Sequence, residues 1–281
     1  MNEQSLKEKL RSIAGENGST FQEVWKKLTL ERFLARLSKS AYSDKFIFKG
    51  GLLLSYYLKI GRETKDIDFL VTQVNANEDQ IKSLLVKIAG VVIEDGFSFS
   101  LNKIDQLDQV HMNYPGYRLK MDTTFGNMKD SLQIDIGVGD KVTPANLDIP
   151  LIVYKDGPLF DGAFSLQVYP TATIFAEKLE TLIYRGAANS RMKDYHDLLF
   201  LCTGNILNVH ETKRQVDATF SHRETKQLLP IEFVEDDINK LQEYWERHLK
   251  TLTEDVSKKL PSSIAEVITS INKWLETAGV H

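Results

Sequence analysis

The sequence predicts a mixed α+β fold in which helices flank a mixed sheet and a helical region follows. Apolar residues recur at helical spacing near the N-terminus, short alternating segments fill the middle of the chain, and helical patterns return after residue 170. The predicted division is a core over residues 1–168, with the N-terminal helices, and a helical C-terminal domain over 169–281. The length of 281 residues, with 42% hydrophobic and 26% charged residues, fits one or two globular domains.

Composition excludes several classes of protein. A single cysteine, Cys202, excludes an intrachain disulfide and favours a reducing compartment, which we expect to be the cytoplasm. No apolar run approaches the roughly 20 residues that span a bilayer, so we expect no membrane association. The net charge of −4 argues against a general nucleic-acid coat but leaves room for a local basic groove.

The N-terminal region predicts two helices, over residues 4–16 and 20–40. Thr20 followed by Glu23 is typical of a capping box at the start of the second. Its apolar stripe predicts packing on the domain rather than partner binding.

A glycine pair follows the apolar residues 46–48. Gly50 and Gly51 precede a helical pattern from Leu52 to Lys59, and glycine lets a phosphate approach backbone N–H groups at a helix N-terminus. Most such pairs are plain turns, so the interpretation depends on what comes next.

An acid pair follows the glycines on a predicted strand. Asp66 and Asp68 alternate with apolar residues and therefore point to one face, where a divalent cation such as Mg²⁺ suits their oxygens. Arg62 and Lys65, just before the strand, are equally suited to neutralising these acids and to holding nucleotide phosphates.

The middle of the chain predicts a helix over residues 77–92 and then strands. The segments FSFSLNKI, GYRLKMDTTF and SLQIDIGV alternate, and the last two form a predicted hairpin across Gly126-Asn127. Asp135 is a lone charge in an apolar strand, which indicates pairing, a metal, or a solvent face. We expect it to be the third acid; the alternative is a surface residue on an edge strand.

A helix is predicted from Pro170 to Tyr184, and it contains Lys178, which spacing alone assigns to the solvated surface. Asp194 and Asp197 follow one helical turn apart in a segment rich in cations. These acids fit either a helix N-terminus, where the dipole favours them, or a functional site.

Three carboxylates beside a glycine turn suit metal-dependent phosphoryl and nucleotidyl transfer. The order of Gly-Gly, Asp-x-Asp and a later strand acid resembles the DNA-polymerase-β-type nucleotidyltransferase fold. Residues 20–205 further resemble the AbiEii/AbiGii (MenT-type) nucleotidyltransferase toxins of type IV toxin–antitoxin and abortive-infection systems. The motifs that carry this resemblance are KGGLLL, GRETKDIDFLV, AEKLETLIYRG and MKDYHDLLFL.

The resemblance assigns roles to particular residues. It implies that Gly50 and Gly51 hold phosphates, that Asp66 and Asp68 bind metal, and that Lys178 contacts the nucleotide. Asp194 matches the family's next site acid, although Asp197 competes for that role and Met192-Lys193 stands where an arginine is common before the acid. The resemblance thus moves Lys178 from the surface to the site, and we expect the C-terminal helices to close the nucleotide cleft.

The function implied is transfer of a nucleoside monophosphate from an NTP to an acceptor, with Mg²⁺ or Mn²⁺ as cofactor. In similar toxins the acceptor is the 3′ end of tRNA, and a separately encoded antitoxin is the partner. The expected roles are metal binding by Asp66, Asp68 and Asp135, with Asp135 also assisting the acceptor hydroxyl. Two alternatives remain: nucleotidyl transfer to a small molecule or protein, and an NTP-binding regulatory module without turnover.

Overall fold

The computed structural model describes residues 1–72, 77–107 and 116–280. Its α-helices are α1 (Glu3–Glu16), α2 (Phe21–Lys39), α3 (Gly50–Tyr57), α4 (Glu78–Ala89), α5 (Thr171–Arg185), α6 (Met192–Thr203), α7 (Val209–His222), α8 (Glu235–Leu249), α9 (Glu254–Ser257) and α10 (Ile264–Ala278). Its strands are β1 (Phe46–Lys49), β2 (Asp66–Val71), β3 (Phe97–Leu107), β4 (Gly116–Phe125), β5 (Met128–Val138), β6 (Ala145–Asp148), β7 (Val153–Tyr154), β8 (Gly157–Pro158) and β9 (Ser165–Val168).

One mixed sheet organises the strands. Among the described residues it contains seven strands in the order β3-β4-β5-β2-β1-β9-β6. Strand β2 lies antiparallel to β1 and parallel to β5, and β5 in turn forms an antiparallel hairpin with β4. The predicted α+β class with a mixed sheet is confirmed, and the strand that carries the acid pair lies in the interior of the sheet.

The chain divides into two compact units. The first contains Met1–Tyr56 and Thr64–Tyr169, and the second contains Tyr57–Glu63 and Pro170–His281. The first unit holds the sheet, whereas the second is built from helices α5 to α10 together with the short segment that follows α3. The change of unit after Tyr169 lies one residue beyond the domain boundary predicted from sequence.

The core of the first unit explains why β2 alternates. Ile67 and Phe69 are fully buried, and the Phe69 ring meets Phe46 and Phe48 of β1 at centroid distances of 5.5 and 5.9 Å. Because successive side chains of a strand point to opposite faces, Asp66 and Asp68 share the other face. They are half-buried there.

Several predicted elements recur with shifted ends. Helix α2 begins with the predicted capping box, in which the Thr20 hydroxyl accepts from the Glu23 N–H at 3.2 Å. Helix α3 begins at Gly50 rather than Leu52, so the glycine pair forms its first residues rather than a separate turn. Helix α4 covers Glu78–Ala89 rather than the predicted 77–92, and its C-cap residue Gly90 donates its N–H to the Val86 carbonyl.

The second unit packs helix on helix. Helix α5 packs against α6 and α7, and the rings of Phe175 in α5 and Trp274 in α10 lie 4.8 Å apart. The apolar stripe predicted for the last helix is buried, with Ile264, Val267 and Ile271 fully enclosed. Of the helices in the described ranges, none combines the length and apolar character that crossing a membrane requires.

A buried ion cluster joins α2 to the start of β3. The Arg36 guanidinium donates two hydrogen bonds of 2.8 Å to Asp95 and one of 2.7 Å to the Phe97 carbonyl, and Arg32 adds a 3.1 Å bond to Asp95. Burial alone would raise the pKa of Asp95, but the hydrogen bonds from Arg36 and from the Phe97 N–H outweigh burial and lower it. Asp95 therefore holds two buried cations in place.

We expect Asp95→Ala to lower the free energy of unfolding of the first unit by about 3–5 kcal/mol, because removing one partner leaves buried charge uncompensated. Denaturant unfolding followed through Trp25, which stacks on Phe97 at 5.5 Å, measures this loss. The exposed neighbour Glu94 provides the control, and Glu94→Ala should change stability by less than about 0.5 kcal/mol. Similar losses in the two variants would contradict the assignment.

Candidate active site

The first group of predicted site residues lies at the start of β2, in the first unit. Asp66 and Asp68 share one face of this strand, as predicted. Lys65 is exposed immediately before Asp66. The strand thus presents two carboxylates side by side, flanked by a cation.

The glycine pair touches the acid pair directly. Antiparallel pairing places Lys49, the last residue of β1, opposite Asp68, and Gly50 follows with φ +79°. A Cβ atom at Gly50 would overlap the Asp68 carboxylate, including Oδ2. Only glycine combines this backbone conformation with this close approach, so the Gly-Gly signal in the sequence has a specific physical cause.

Asp135 lies level with Asp68 on the adjacent strand. Parallel pairing of β2 with β5 makes Asp68 and Asp135 register partners, and β5 is an interior strand between β4 and β2. The alternative of an edge-strand aspartate is therefore wrong, because the hairpin strand β4 covers the outer side of β5. The three predicted acids belong to two neighbouring strands, as the sequence indicated.

Sequence reasoning missed the partner of Asp135. Arg118 on β4 donates from Nε to Oδ1 at 2.9 Å and from Nη2 to Oδ2 at 2.7 Å. Counting residues away from the two-residue turn Gly126-Asn127 pairs Arg118 with Asp135, so the signal was present in the predicted hairpin.

Lys49 is a second cation that sequence reasoning did not single out. Its Nζ lies 3.1 Å from the Tyr169 hydroxyl and 3.5 Å from a carboxylate oxygen of Asp140, above the Tyr169 ring. It directly precedes Gly50, and its place in the KGG motif was the available signal.

The donors of this group fit a hard divalent cation in chemistry, since Asp66 and Asp68 present adjacent carboxylates on one strand face. The third acid is engaged by Arg118. Among the residues that the structure describes, no group of three or more His, Cys, Asp or Glu side chains is arranged to hold a metal ion. Asp66 and Asp68 have the chemistry to bind a cation, and Asp135 would have to leave Arg118 to join them.

The second group of predicted residues lies in the second unit. Arg62 donates from Nε and Nη2 to the two carboxylate oxygens of Asp197 at 2.7 and 2.6 Å. The Lys178 ammonium lies 2.8 Å from Asp194 and 2.7 Å from Asp197. The interpretation of Lys178 as a surface charge is wrong, because the helix places it against these two buried acids.

The charges in this second group reinforce one another. Burial alone would raise the pKa of Asp197, but the Lys178 charge and the Arg62 hydrogen bond outweigh burial and hold that pKa at about 2. Burial would likewise lower the pKa of Lys178, yet Asp194 and Asp197 raise it. Both cations and Asp197 are therefore ionised near neutral pH.

Asp194 and Asp197 differ in how completely they are satisfied. Asp197 is fully buried and receives hydrogen bonds from Arg62 on both oxygens. Asp194 accepts from Lys178 through Oδ1, whereas its buried Oδ2 lies 3.0 Å from Arg191 without accepting a hydrogen bond. The sequence left open which of the two is the site acid. In the structure they differ, because both oxygens of Asp197 accept hydrogen bonds and only one oxygen of Asp194 does.

Two histidines fix the segment that carries Arg62. His196 of α6 donates from Nε2 to the Ile60 carbonyl at 2.7 Å, and its Nδ1 lies 2.9 Å from Nε2 of His248. Burial lowers the pKa of both, that of His248 to about 4, so both are neutral near pH 7. This neutral pair positions the backbone two residues before Arg62.

A cavity of about 930 Å³ opens elsewhere on the second unit. It is lined by residues of α8, of α9 and of the segment up to Ser263. None of the predicted site residues lines it.

Comparisons with known proteins agree with this fold. The crystal structure of a candidate nucleotidyltransferase from Helicobacter pylori is similar with a TM-score of 0.51 and 14% identity, covering 92% of this chain and 95% of that one. The structure of JHP933 from the same organism is similar with a TM-score of 0.50 and 15% identity, covering 92% of each chain. No curated protein matched the sequence.

A match to a family of nucleotidyltransferases gives the class of the protein. The family model described as nucleotidyl transferase AbiEii toxin, type IV TA system, matches residues 32–272. The chain belongs to this AbiEii family, and the resemblance seen in the sequence is confirmed.

We expect Gly50→Ala to lower the free energy of unfolding by about 1–3 kcal/mol, because the strained φ costs that much and the new methyl group displaces Asp68. Denaturant unfolding measures the change. Gly157→Ala is the matched control, since its Cβ would meet nothing within 4 Å. Equal stabilities of the two variants would contradict the close approach at Gly50.

We expect Asp197→Ala to cost the second unit about 3–5 kcal/mol, because it removes the carboxylate that Arg62 and Lys178 share. Asp194→Ala should cost less. Trp245 and Trp274, both in the second unit, report its unfolding, and the exposed Asp217→Ala is the control. A larger loss for Asp194→Ala than for Asp197→Ala would reverse the assignment of the structural acid.

Proposed function

We propose that this nucleotidyltransferase moves a nucleoside monophosphate from an NTP to the 3′ end of tRNA in the bacterial cytoplasm. Mg²⁺ or Mn²⁺ is the proposed cofactor. Its family is that of type IV toxins, which implies an antitoxin as the partner. One observation supports the chemistry most strongly. Asp68 on β2 lies against Gly50, the first residue of α3, and pairs in register with Asp135 on β5.

Asp66 and Asp68 are the proposed metal ligands, and Asp135 is the proposed third acid. A divalent cation bound there would neutralise triphosphate charge and make the acceptor hydroxyl more acidic. A helix N-terminus favours an anion, and the phosphates are proposed to lie at the start of α3, beside Gly50 and Gly51. In this proposal the strand acids bind the cation, and the start of α3 binds the anionic phosphates.

The proposed reaction is a single displacement at phosphorus. The acceptor 3′ oxygen bonds to the α-phosphorus while the bond from that phosphorus to the bridging oxygen of the β-phosphate breaks, so that pyrophosphate leaves. Asp135 accepts the proton of the acceptor hydroxyl. Arg62, Lys65 and Lys178 are proposed to hold phosphates, since ammonium and guanidinium groups both bind them. Asp194 is proposed to orient Lys178, to which it is bonded at 2.8 Å.

We expect purified protein, incubated with Mg²⁺, total tRNA and each α-labelled NTP in turn, to label tRNA. Asp66→Ala and Asp68→Ala should each lower the rate on the order of 10³-fold, because loss of metal binding removes several kcal/mol of transition-state stabilisation. EDTA should have the same effect. Asp79→Ala, which removes an exposed acid of α4 in the same unit, should leave the rate unchanged.

The acceptor is identified in the same assay. Periodate oxidation of the tRNA destroys its 3′ diol and should prevent labelling. Label transferred to protein or to a small molecule would replace tRNA as the acceptor, and NTP binding without turnover on any acceptor would favour a regulatory module. Persistent labelling in the Asp66 and Asp68 variants would refute the assigned chemistry.

A further inference from the structure

The ion pair between Arg118 and Asp135 occupies both oxygens of the third acid. The guanidinium contacts are bidentate, at 2.9 and 2.7 Å, and Gln133 adds a long 3.4 Å bond to Oδ2. Bidentate pairs of this kind are among the stronger hydrogen-bonded contacts in proteins, and their geometry is specific. A divalent cation could coordinate these two oxygens only in place of the guanidinium.

Arg118 lies in the field of all three acids. Its guanidinium is hydrogen-bonded to Asp135, and the negative charges of Asp66 and Asp68 also act on it. The positive charge that these carboxylates attract is thus supplied in part by the chain itself. Arg118 and a divalent cation are alternative sources of the positive charge that balances these carboxylates.

The arginine is accessible from solvent. Its side chain is 45% exposed, compared with 23% for Asp135. The guanidinium therefore borders solvent, and its departure from Asp135 would not open the apolar core of the sheet. A buried pair, such as Arg62 with Asp197 in the second unit, lacks this access to solvent.

We propose that Arg118 competes with the divalent cation for Asp135, so that Asp135 contributes to a cation site with Asp66 and Asp68 only when Arg118 is displaced. This inference rests on the proposed metal-dependent function. It makes Arg118 a positioning residue, which determines when the third acid is available rather than reacting itself. An anionic substrate could displace the arginine, because a guanidinium also binds phosphate.

The test is Mn²⁺ binding to the full-length protein without nucleotide, measured by electron paramagnetic resonance. Four proteins form a cycle: the unmodified chain, Arg118→Ala, Asp135→Asn and the double variant. The cycle measures the coupling between the two side chains in Mn²⁺ binding. Circular dichroism checks that each variant is folded.

With Arg118 present, we expect Asp135→Asn to change the Mn²⁺ dissociation constant by no more than about twofold, because Asp135 is already engaged. Arg118→Ala should tighten binding, and Asp135→Asn in that background should weaken it by roughly 10- to 100-fold, the range typical for groups that tune a metal site. That difference between the two backgrounds is the signature of competition.

Lys120 provides the matched control. It is an exposed cation on the same face of β4, two residues beyond Arg118, and its register partner is Gln133 rather than Asp135. Lys120→Ala should leave the effect of Asp135→Asn unchanged.

Two results overturn the inference in distinguishable ways. Equal effects of Asp135→Asn with and without Arg118 would make Arg118–Asp135 an ion pair only, while the cation site at Asp66 and Asp68 would stand. Mn²⁺ binding that is absent, or unaffected by Asp68→Asn, would remove the cation site itself and the inference with it.

Discussion

The close approach of Gly50 to the Asp68 carboxylate is the constraint on which the arrangement of the first unit's site depends. The carboxylate occupies the space that a side chain at residue 50 would need. This contact requires β1 to end opposite Asp68 and α3 to begin immediately afterwards. The contact therefore places the Asp68 carboxylate of β2 against the electropositive N-terminus of α3.

The interior position of β2 extends this constraint to a second strand. Pairing with β1 on one side fixes Gly50 beside Asp68, and pairing with β5 on the other side fixes Asp135 level with it. A shift of either register by one residue would turn the acids toward the core occupied by Ile67 and Phe69. The buried aromatic residues of β1 and β2 thus specify the placement of the charged face.

The sequence was informative where a local period or turn determined the structure. Alternation predicted the common face of Asp66 and Asp68, and the Gly126-Asn127 turn predicted the β4–β5 hairpin, from which the pairing of Arg118 could have been counted. The bond between Arg62 and Asp197 joins residues 135 positions apart, and no local pattern encodes it. Lys178 was likewise recognised through family resemblance, because helical spacing does not reveal which face a lysine buries.

The two acids of α6 show how burial divides structural from chemical roles. Asp197 is satisfied by Arg62 and Lys178, so a phosphate would have to bind these cations while Asp197 stays in contact with them, because removing either cation would leave a buried charge uncompensated. Asp194 touches the same lysine but retains a buried oxygen that accepts no hydrogen bond. Arg191, the cation nearest to that oxygen, is exposed, whereas both cations that hold Asp197 are largely buried, and this asymmetry favours Asp194 as the site acid and Asp197 as its structural support.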